Sequence, residues 1–208
     1  MQVSAEIRWF WSGDAPGVAQ WFRSTALHAL AAGGGGERTD EYLADPSQNE
    51  LGIKLRGGKK GVEVKGLVAR LPIALAEGPF GGPIELWTKW TSPALELKPE
   101  VRIAVVKERY LRKFDGALAT PQEIALGGNE KPIGAVTLPD RGCNVEFTSV
   151  RVGSGPTWST LGFEAFGTLD TVESDLRRVA ALLATRQPPS LAGATLASYP
   201  TWLQKPGG

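Results

Sequence analysis

The sequence predicts an α+β protein that is mainly β, built around a barrel of strands with charged side chains inside. Between Glu6 and Glu164, acids and bases recur at every second residue of segments that would otherwise read as half-buried strands. Turn signals rich in glycine and proline, such as Gly78-Pro79, divide the same region into short pieces. The chain is therefore expected to form many short strands, each with one charged face and one apolar face.

Residues two apart in a strand share a face, so the spacing of the charges shows which of them lie together. The charged positions that repeat in this way are Lys54 and Arg56, Glu63 and Lys65, Glu85 and Lys89, Lys107 and Arg109, and Glu146. An alternative interpretation is that they form the solvated face of an ordinary antiparallel sheet, which is the default for alternating strands. The alternation alone is compatible with both interpretations.

Composition limits the classes of function. The 208 residues carry 23 bases and 22 acids, a net charge of +1, so no overall field attracts nucleic acid or a membrane surface. Cys143 is the only cysteine, which excludes an intramolecular disulfide and a zinc site made of several cysteines. No apolar run approaches the roughly 18 residues that span a bilayer, and the N-terminus lacks a signal-peptide pattern. We expect a soluble, cytoplasmic protein in which any anion binding is local.

Two helices are predicted beside the strands. The first has Asp14 as its N-cap and follows the first strand. The second has Asp170 as its N-cap, with Glu173 completing a capping box, and is expected to end near Gln187. This helix and an aromatic tail that docks on the body of the protein together cover about residues 170–208.

Three further features of the sequence have simpler explanations than a catalytic or binding role. The glycine run at residues 33–36 reads as a flexible linker and lacks the lysine and Ser/Thr of a phosphate-binding P-loop. His28 is the only histidine and is placed on the first helix, where no second histidine or G-x-S-x-G sequence supports a catalytic role. Trp87 and Trp90 could stack on the bases of single-stranded nucleic acid, but the near-neutral charge favours core packing.

The first strand reads SAEIRWF over residues 4–10, with Glu6 and Arg8 on its charged face. This run, together with the order of the charged strands, resembles the CYTH family, also called triphosphate tunnel metalloenzymes, whose first strand carries E-x-E-x-K. In the preferred register Glu6 and Arg8 match the second acid and the lysine, and Ser4 stands at the first acid. A register shifted by two would leave Arg8 and Phe10 at the remaining positions.

The resemblance implies an antiparallel eight-stranded tunnel barrel with flanking helices, forming a single domain over residues 1–208. It also implies two sets of site residues. The anion-binding set is Arg8, Lys54, Arg56, Lys65, Lys107 and Arg109. The metal-binding set, for Mg²⁺ or Mn²⁺, is Glu6, Glu146 and Glu164. Phe166 stands where the family has a further acid.

A triphosphate needs bases on several walls, and arginine supplies paired hydrogen bonds where lysine supplies a point charge. The resemblance therefore implies binding of a triphosphate, either inorganic tripolyphosphate, a nucleoside triphosphate or a related phosphorylated metabolite. It further implies metal-dependent hydrolysis, with the metal polarising a phosphoryl oxygen. The alternative is a noncatalytic protein that binds another anionic metabolite on the same fold. A nucleic-acid or membrane partner is not expected.

Overall fold

The structure, a computed structural model, describes residues 1–28, 30, 37–43, 49–57 and 59–204. Within these ranges the chain forms twelve strands and three α-helices. In chain order they are β1 (Gln2–Ser12), α1 (Pro16–Ser24), β2 (Glu37–Leu43), β3 (Leu51–Leu55), β4 (Val62–Arg70), β5 (Leu75–Glu77), β6 (Phe80–Gly82), β7 (Glu85–Ser92), β8 (Arg102–Asp115), β9 (Gln122–Ile124), β10 (Gly142–Val152), β11 (Thr157–Gly167), α2 (Val172–Ala184), β12 (Thr195–Leu196) and α3 (Tyr199–Leu203).

Eight of these strands close into an antiparallel barrel. The order around the barrel is β10, β11, β1, β7, β4, β3, β2 and β8, and β8 pairs with β10 to complete the circle. Strand β9 extends one end of β8, β12 pairs with β1, and β5 and β6 form a separate hairpin. The predicted fold class, mainly β with an antiparallel eight-stranded barrel and flanking helices, is confirmed.

In each strand of the barrel, every second side chain points into the interior. On β1, Glu6 and Arg8 line an interior cavity, whereas the alternating Ile7 and Trp9 belong to a large apolar core. On β8, Lys107 and Arg109 line the same cavity. The alternating charges are thus on the inside of the barrel, and the interpretation that they form a solvated sheet face is wrong.

The outer face of the barrel carries the main hydrophobic core. Phe22 of α1 and Leu176 and Leu183 of α2 are fully buried and belong to one cluster with Ile7 and Phe163 of the barrel wall. Each large apolar side chain buried in this way contributes about 1.5–3 kcal/mol. The helices cover the apolar side chains on the outside of the barrel, and the alternate, charged side chains line its interior.

The C-terminal segment packs into one end of the barrel. Trp202 stacks on Phe10, with ring centroids 4.9 Å apart, and Tyr199 meets Phe10 edge to face at 5.4 Å. Gly52 gives the segment room, since a Cβ there would lie 3.2 Å from Cγ of Pro200. The prediction that the tail docks on the body is confirmed, and the docked helix closes this end of the interior.

Both predicted helix caps are wrong. Ala15 occupies the N-cap of α1 without a side-chain hydrogen bond, and Pro16 in the first turn supplies the fixed backbone angle that starts the helix. Thr171, not Asp170, is the N-cap of α2, because the Asp170 carboxylate interacts with Thr168 instead.

The end of α2 and the position of His28 also differ from the predictions. The second helix ends at Ala184, since the backbone at Gln187 has a φ of 52° that no α-helix allows. His28 lies beyond the end of α1 and is exposed, so its placement on a helix is wrong. The glycine run at 33–36 lies outside the described residues. In the part of the chain that the structure describes, no helix is long and apolar enough to cross a bilayer.

Candidate anion-binding site

The barrel encloses a cavity of ≈ 100 Å³ with charged walls. At about 30 Å³ per water molecule, that volume corresponds to roughly three waters, which suits a small polyatomic anion or one end of a short phosphate chain. Among the described residues, eight bases and four carboxylates line it. They are Arg8, Arg38, Lys54, Arg56, Lys65, Lys89, Lys107 and Arg109, and Glu6, Glu63, Glu146 and Glu164.

All six bases and all three acids that the sequence singled out lie at this one cavity. The structure adds two bases to the set. Lys89 was placed on the charged face of its strand but not among the candidates, and Arg38 was missed entirely. Strand β2 carries charges on both parities, at Glu37, Arg38, Asp40 and Glu41, so its inward face could not be recognised from alternation.

Glu146 on β10 lies between two arginines. Its Oε2 accepts a hydrogen bond from Nη2 of Arg8 at 2.9 Å, and its Oε1 accepts one from Nη1 of Arg109 at 2.6 Å. Burial favours the neutral carboxyl, but the two guanidinium groups outweigh it and hold the pKa of Glu146 well below its ordinary value. Glu146 is thus a permanent internal anion at the centre of the basic wall.

Glu6 and Glu164 face each other on the paired strands β1 and β11. Glu6 accepts hydrogen bonds from the Lys65 ammonium and the Ser4 hydroxyl. An oxygen of Glu164 lies 3.5 Å from Nζ of Lys89. Burial favours neutral Glu164, yet Lys89 and then Lys65 lower its pKa. Two acids are therefore met by two ammonium groups.

Asp40 has no exposed surface and gathers three bases at the other side of the cavity. Arg38 donates to its Oδ1 at 2.9 Å, and Nζ of Lys54 and of Lys107 each lie 3.5 Å from its Oδ2. Burial opposes ionisation of Asp40, but Lys54, Lys107 and Arg38 lower its pKa from 3.8 to about 2. The carboxylate thus keeps three like charges close together.

Lys107 is the most enclosed base of the cavity, with a side chain only 6% exposed. Its ammonium donates to the Tyr42 hydroxyl at 2.7 Å and lies 3.7 Å from the centre of the Tyr199 ring. Burial, followed by the charge of Lys54, lowers its pKa well below the ordinary value of 10.5, against the attraction of Asp40. A second negative charge beside Lys107 would raise this pKa again.

The bases differ in solvent exposure along the axis of the cavity. At the end that α3 closes, Arg8 is 8% exposed, while the Lys89 side chain toward the opposite end is 26% exposed. Tyr199 and Pro200 form the floor at the closed end. Arg8 and Lys107 are thus the most enclosed bases of the cavity, and Lys89 is more accessible.

The arrangement of the carboxylates decides whether they could bind Mg²⁺ or Mn²⁺. Such cations prefer several oxygen atoms around one point. In the part of the chain that the structure describes, no three His, Cys, Asp or Glu side chains lie together in a way that could hold a metal ion. Glu6, Glu146 and Glu164 are each bonded to bases instead. As they lie, these side chains do not fit a bound divalent cation.

The two tryptophans considered for base stacking lie on opposite faces of β7. Trp87 is fully buried in the barrel, with the Lys65 ammonium 5.0 Å from its ring, and Trp90 is partly exposed on the outside. They do not form a shared stacking surface.

The fold and the site define a closed antiparallel barrel with a basic interior cavity. No known family model matches the chain, and no curated protein sequence is significantly similar to it.

Proposed function

We propose that this protein binds a short polyphosphate inside its barrel. The ligand is inorganic tripolyphosphate, or the phosphate chain of a nucleoside triphosphate or related phosphorylated metabolite. The observation that carries the proposal is the convergence of eight bases on one cavity, seven of them from six different strands and Arg56 from just beyond β3.

The charge balance favours a ligand with more than one negative charge. Four carboxylates line the cavity, and Asp40 and Glu130 pair with its bases from beside it, so eight bases face six acids and two positive charges remain in excess. A polyphosphate supplies several charges in a narrow chain, and its oxygens accept the directed N–H groups of arginine. A single carboxylate would neutralise only part of this excess.

The inward charges also keep the pattern by which the sequence resembles the CYTH triphosphate tunnel enzymes, and this supports the choice of phosphate over other anions. Membership of that family, and the metal-dependent hydrolysis that it would imply, remain predictions. The two positions that depart from the pattern have other contacts here. The Ser4 hydroxyl donates to Glu6, and the Phe166 ring lies under the Lys113 ammonium at 4.2 Å.

The alternative, a noncatalytic protein on the same fold that binds another anionic metabolite, is favoured by one observation. All the carboxylates considered as metal ligands are already paired with bases. Hydrolysis and pure binding are distinguished by a phosphate-release assay with tripolyphosphate and ATP, in Mg²⁺ and in Mn²⁺.

Calorimetric titration of tripolyphosphate into the full chain tests the proposal. Arg56 is the most informative position, because it lines the cavity and has no ion pair to a described carboxylate. Arg56→Ala should weaken binding about tenfold, the loss of one charge-assisted interaction of about 1.4 kcal/mol. Lys60→Ala, an exposed base in the adjoining turn, is the matched control and should bind as the wild type does. No saturable binding, with or without metal, would refute the proposal.

A further inference from the structure

We propose that the anion in the interior cavity is held directly by arginine and lysine side chains, with no divalent cation between ligand and protein. The inference rests on the proposed function, because it concerns how the same ligand is bound. The observation behind it is that each cavity-lining carboxylate among the described residues is already paired with a base.

The geometry of Glu146 is the strongest argument. Each of its oxygens accepts an N–H from a different arginine, at 2.9 Å from Arg8 and 2.6 Å from Arg109. A divalent cation bound to Glu146 would have to displace at least one guanidinium and then sit beside its positive charge. Mg²⁺ also requires near-octahedral oxygen ligands and gives up its water reluctantly. The site favours an arginine over a metal at this carboxylate.

The facing acids Glu6 and Glu164 are the nearest approach to a shared metal site. Lys65 and Lys89, which face each other on β4 and β7, neutralise them one to one. The next acid, Glu85 on β7, is paired in register with Glu6. Its carboxylate accepts the indole N–H of Trp87 at 3.2 Å and lies 3.4 Å from Arg70, so it is occupied by other donors.

The carboxylates thus act as internal counterions that hold the bases in position when the cavity contains no ligand. Buried bases without partners would repel one another at a large cost. A phosphate that reaches Arg8 and Arg109 must then compete with Glu146 for their N–H groups. Glu146 is a positioning residue that lowers affinity for the anion, whereas a metal ligand would raise it.

The decisive experiment uses wild-type protein dialysed against EDTA. Tripolyphosphate is titrated in EDTA, and again with equal excess Mg²⁺ or Mn²⁺ in cell and syringe. We expect saturable binding in EDTA that is at least as tight as binding with metal. Binding that requires metal would overturn the inference and leave the proposed function intact. Absence of binding under both conditions would overturn the proposed function itself.

A substitution at Glu146 distinguishes the two roles of its carboxylate. Affinity for the anion should rise if the carboxylate is a counterion and fall if it is a metal ligand. Glu146→Gln keeps the shape and removes the competing charge, so in EDTA it should bind tripolyphosphate at least about fivefold more tightly. In excess Mg²⁺, weaker binding by Glu146→Gln than by wild type would indicate that this carboxylate holds a metal ion and would contradict the inference. Glu108→Gln removes an equal charge from the exposed outer face of β8, between Lys107 and Arg109, and should leave the affinity unchanged.

A third measurement tests for a metal site in the absence of tripolyphosphate. Mn²⁺ alone is titrated into wild-type protein, followed by its paramagnetic resonance signal. The inference predicts no saturable Mn²⁺ site. A saturable site that Glu164→Gln removes would refute it.

Discussion

Arg8 and Glu146 form an ion pair although their strands are not neighbours, because β11 lies between β1 and β10. The guanidinium passes over Gly162, the residue of β11 that is paired with both of them. A Cβ built on Gly162 would overlap the guanidinium carbon of Arg8. The missing side chain on the middle strand is therefore what allows the two charged residues to meet across the barrel.

Gly162→Ala should displace Arg8 and break its bond to Glu146. Overpacking of this kind costs about 1–3 kcal/mol, which urea unfolding measures. Tripolyphosphate affinity should fall about tenfold, because the deepest arginine no longer points at the cavity.

Two comparisons show whether the effect acts through Arg8. In an Arg8→Gln background, Gly162→Ala should cause no further loss of affinity, as expected for coupled positions. Gly66→Ala, on β4, is the matched strand control because a Cβ there lies an ordinary 3.9 Å from Thr88 Cγ2. Additive losses at Arg8 and Gly162 would contradict the explanation.

Ligand binding should draw a proton onto Lys107. The groups that face this amine from the neighbouring elements are Arg8, Arg38, Asp40, Tyr42, Lys54 and Tyr199. Burial and the charge of Lys54 lower the pKa of Lys107 in the free protein, and a bound polyanion opposes that shift. At alkaline pH below the ordinary lysine pKa of about 10, wild type should therefore take up more protons on binding tripolyphosphate than Lys107→Met does.

Calorimetry in buffers of different ionisation enthalpy measures this difference. The comparison between the two proteins cancels the protons that tripolyphosphate itself releases or takes up. Equal proton uptake by wild type and Lys107→Met at every pH would show that the amine is already charged before binding.

Asp40 should make the fold sensitive to acid. Its pKa is lowered from 3.8 to about 2, so the carboxylate contributes stability above about pH 4 that is lost as the pH falls toward about 2. Asp40→Asn lacks this contribution, and its deficit relative to wild type should shrink by about 1 kcal/mol between about pH 4.5 and about pH 3. Urea unfolding at the two pH values measures it, with the exposed Asp140→Asn as a control for one lost charge. A deficit that is the same at both pH values would contradict the prediction.

The grouping of the charges on one face of each strand could be predicted because alternation in a strand follows from covalent geometry and does not depend on the neighbouring strands. Lys107 and Arg109, or Glu63 and Lys65, must share a face wherever their strand lies. What alternation does not give is which face turns inward. That depends on tertiary packing, in which α1 and α2 cover the apolar side of the strands through residues such as Phe22.

The remaining parts of the site were not predictable for specific reasons. Asp40 and Tyr42 lie on β2, where charges occur on both parities, so only the pairing of β2 with β3 and β8 assigns its inner face. Tyr199 comes from the tail, far along the chain, and its position over Lys107 depends on how α3 packs against Phe10. Contacts between segments distant in sequence leave no local pattern.

A buried ion pair outside the cavity should matter for stability far more than its exposed counterparts. Arg112 has no exposed side-chain surface and donates to both oxygens of Glu123, at 2.7 and 2.8 Å, and to the carbonyl of Thr25 just after α1. Glu123→Ala would leave this guanidinium buried without its counterion, at a cost of about 3 kcal/mol in urea unfolding. Glu173→Ala removes a carboxylate that pairs with Arg177 on the surface of α2 and should cost only about 0.5 kcal/mol. Comparable losses in the two variants would mean that Arg112 finds water or another acceptor, and that the end of α1 is less tightly fixed to the barrel than these bonds indicate.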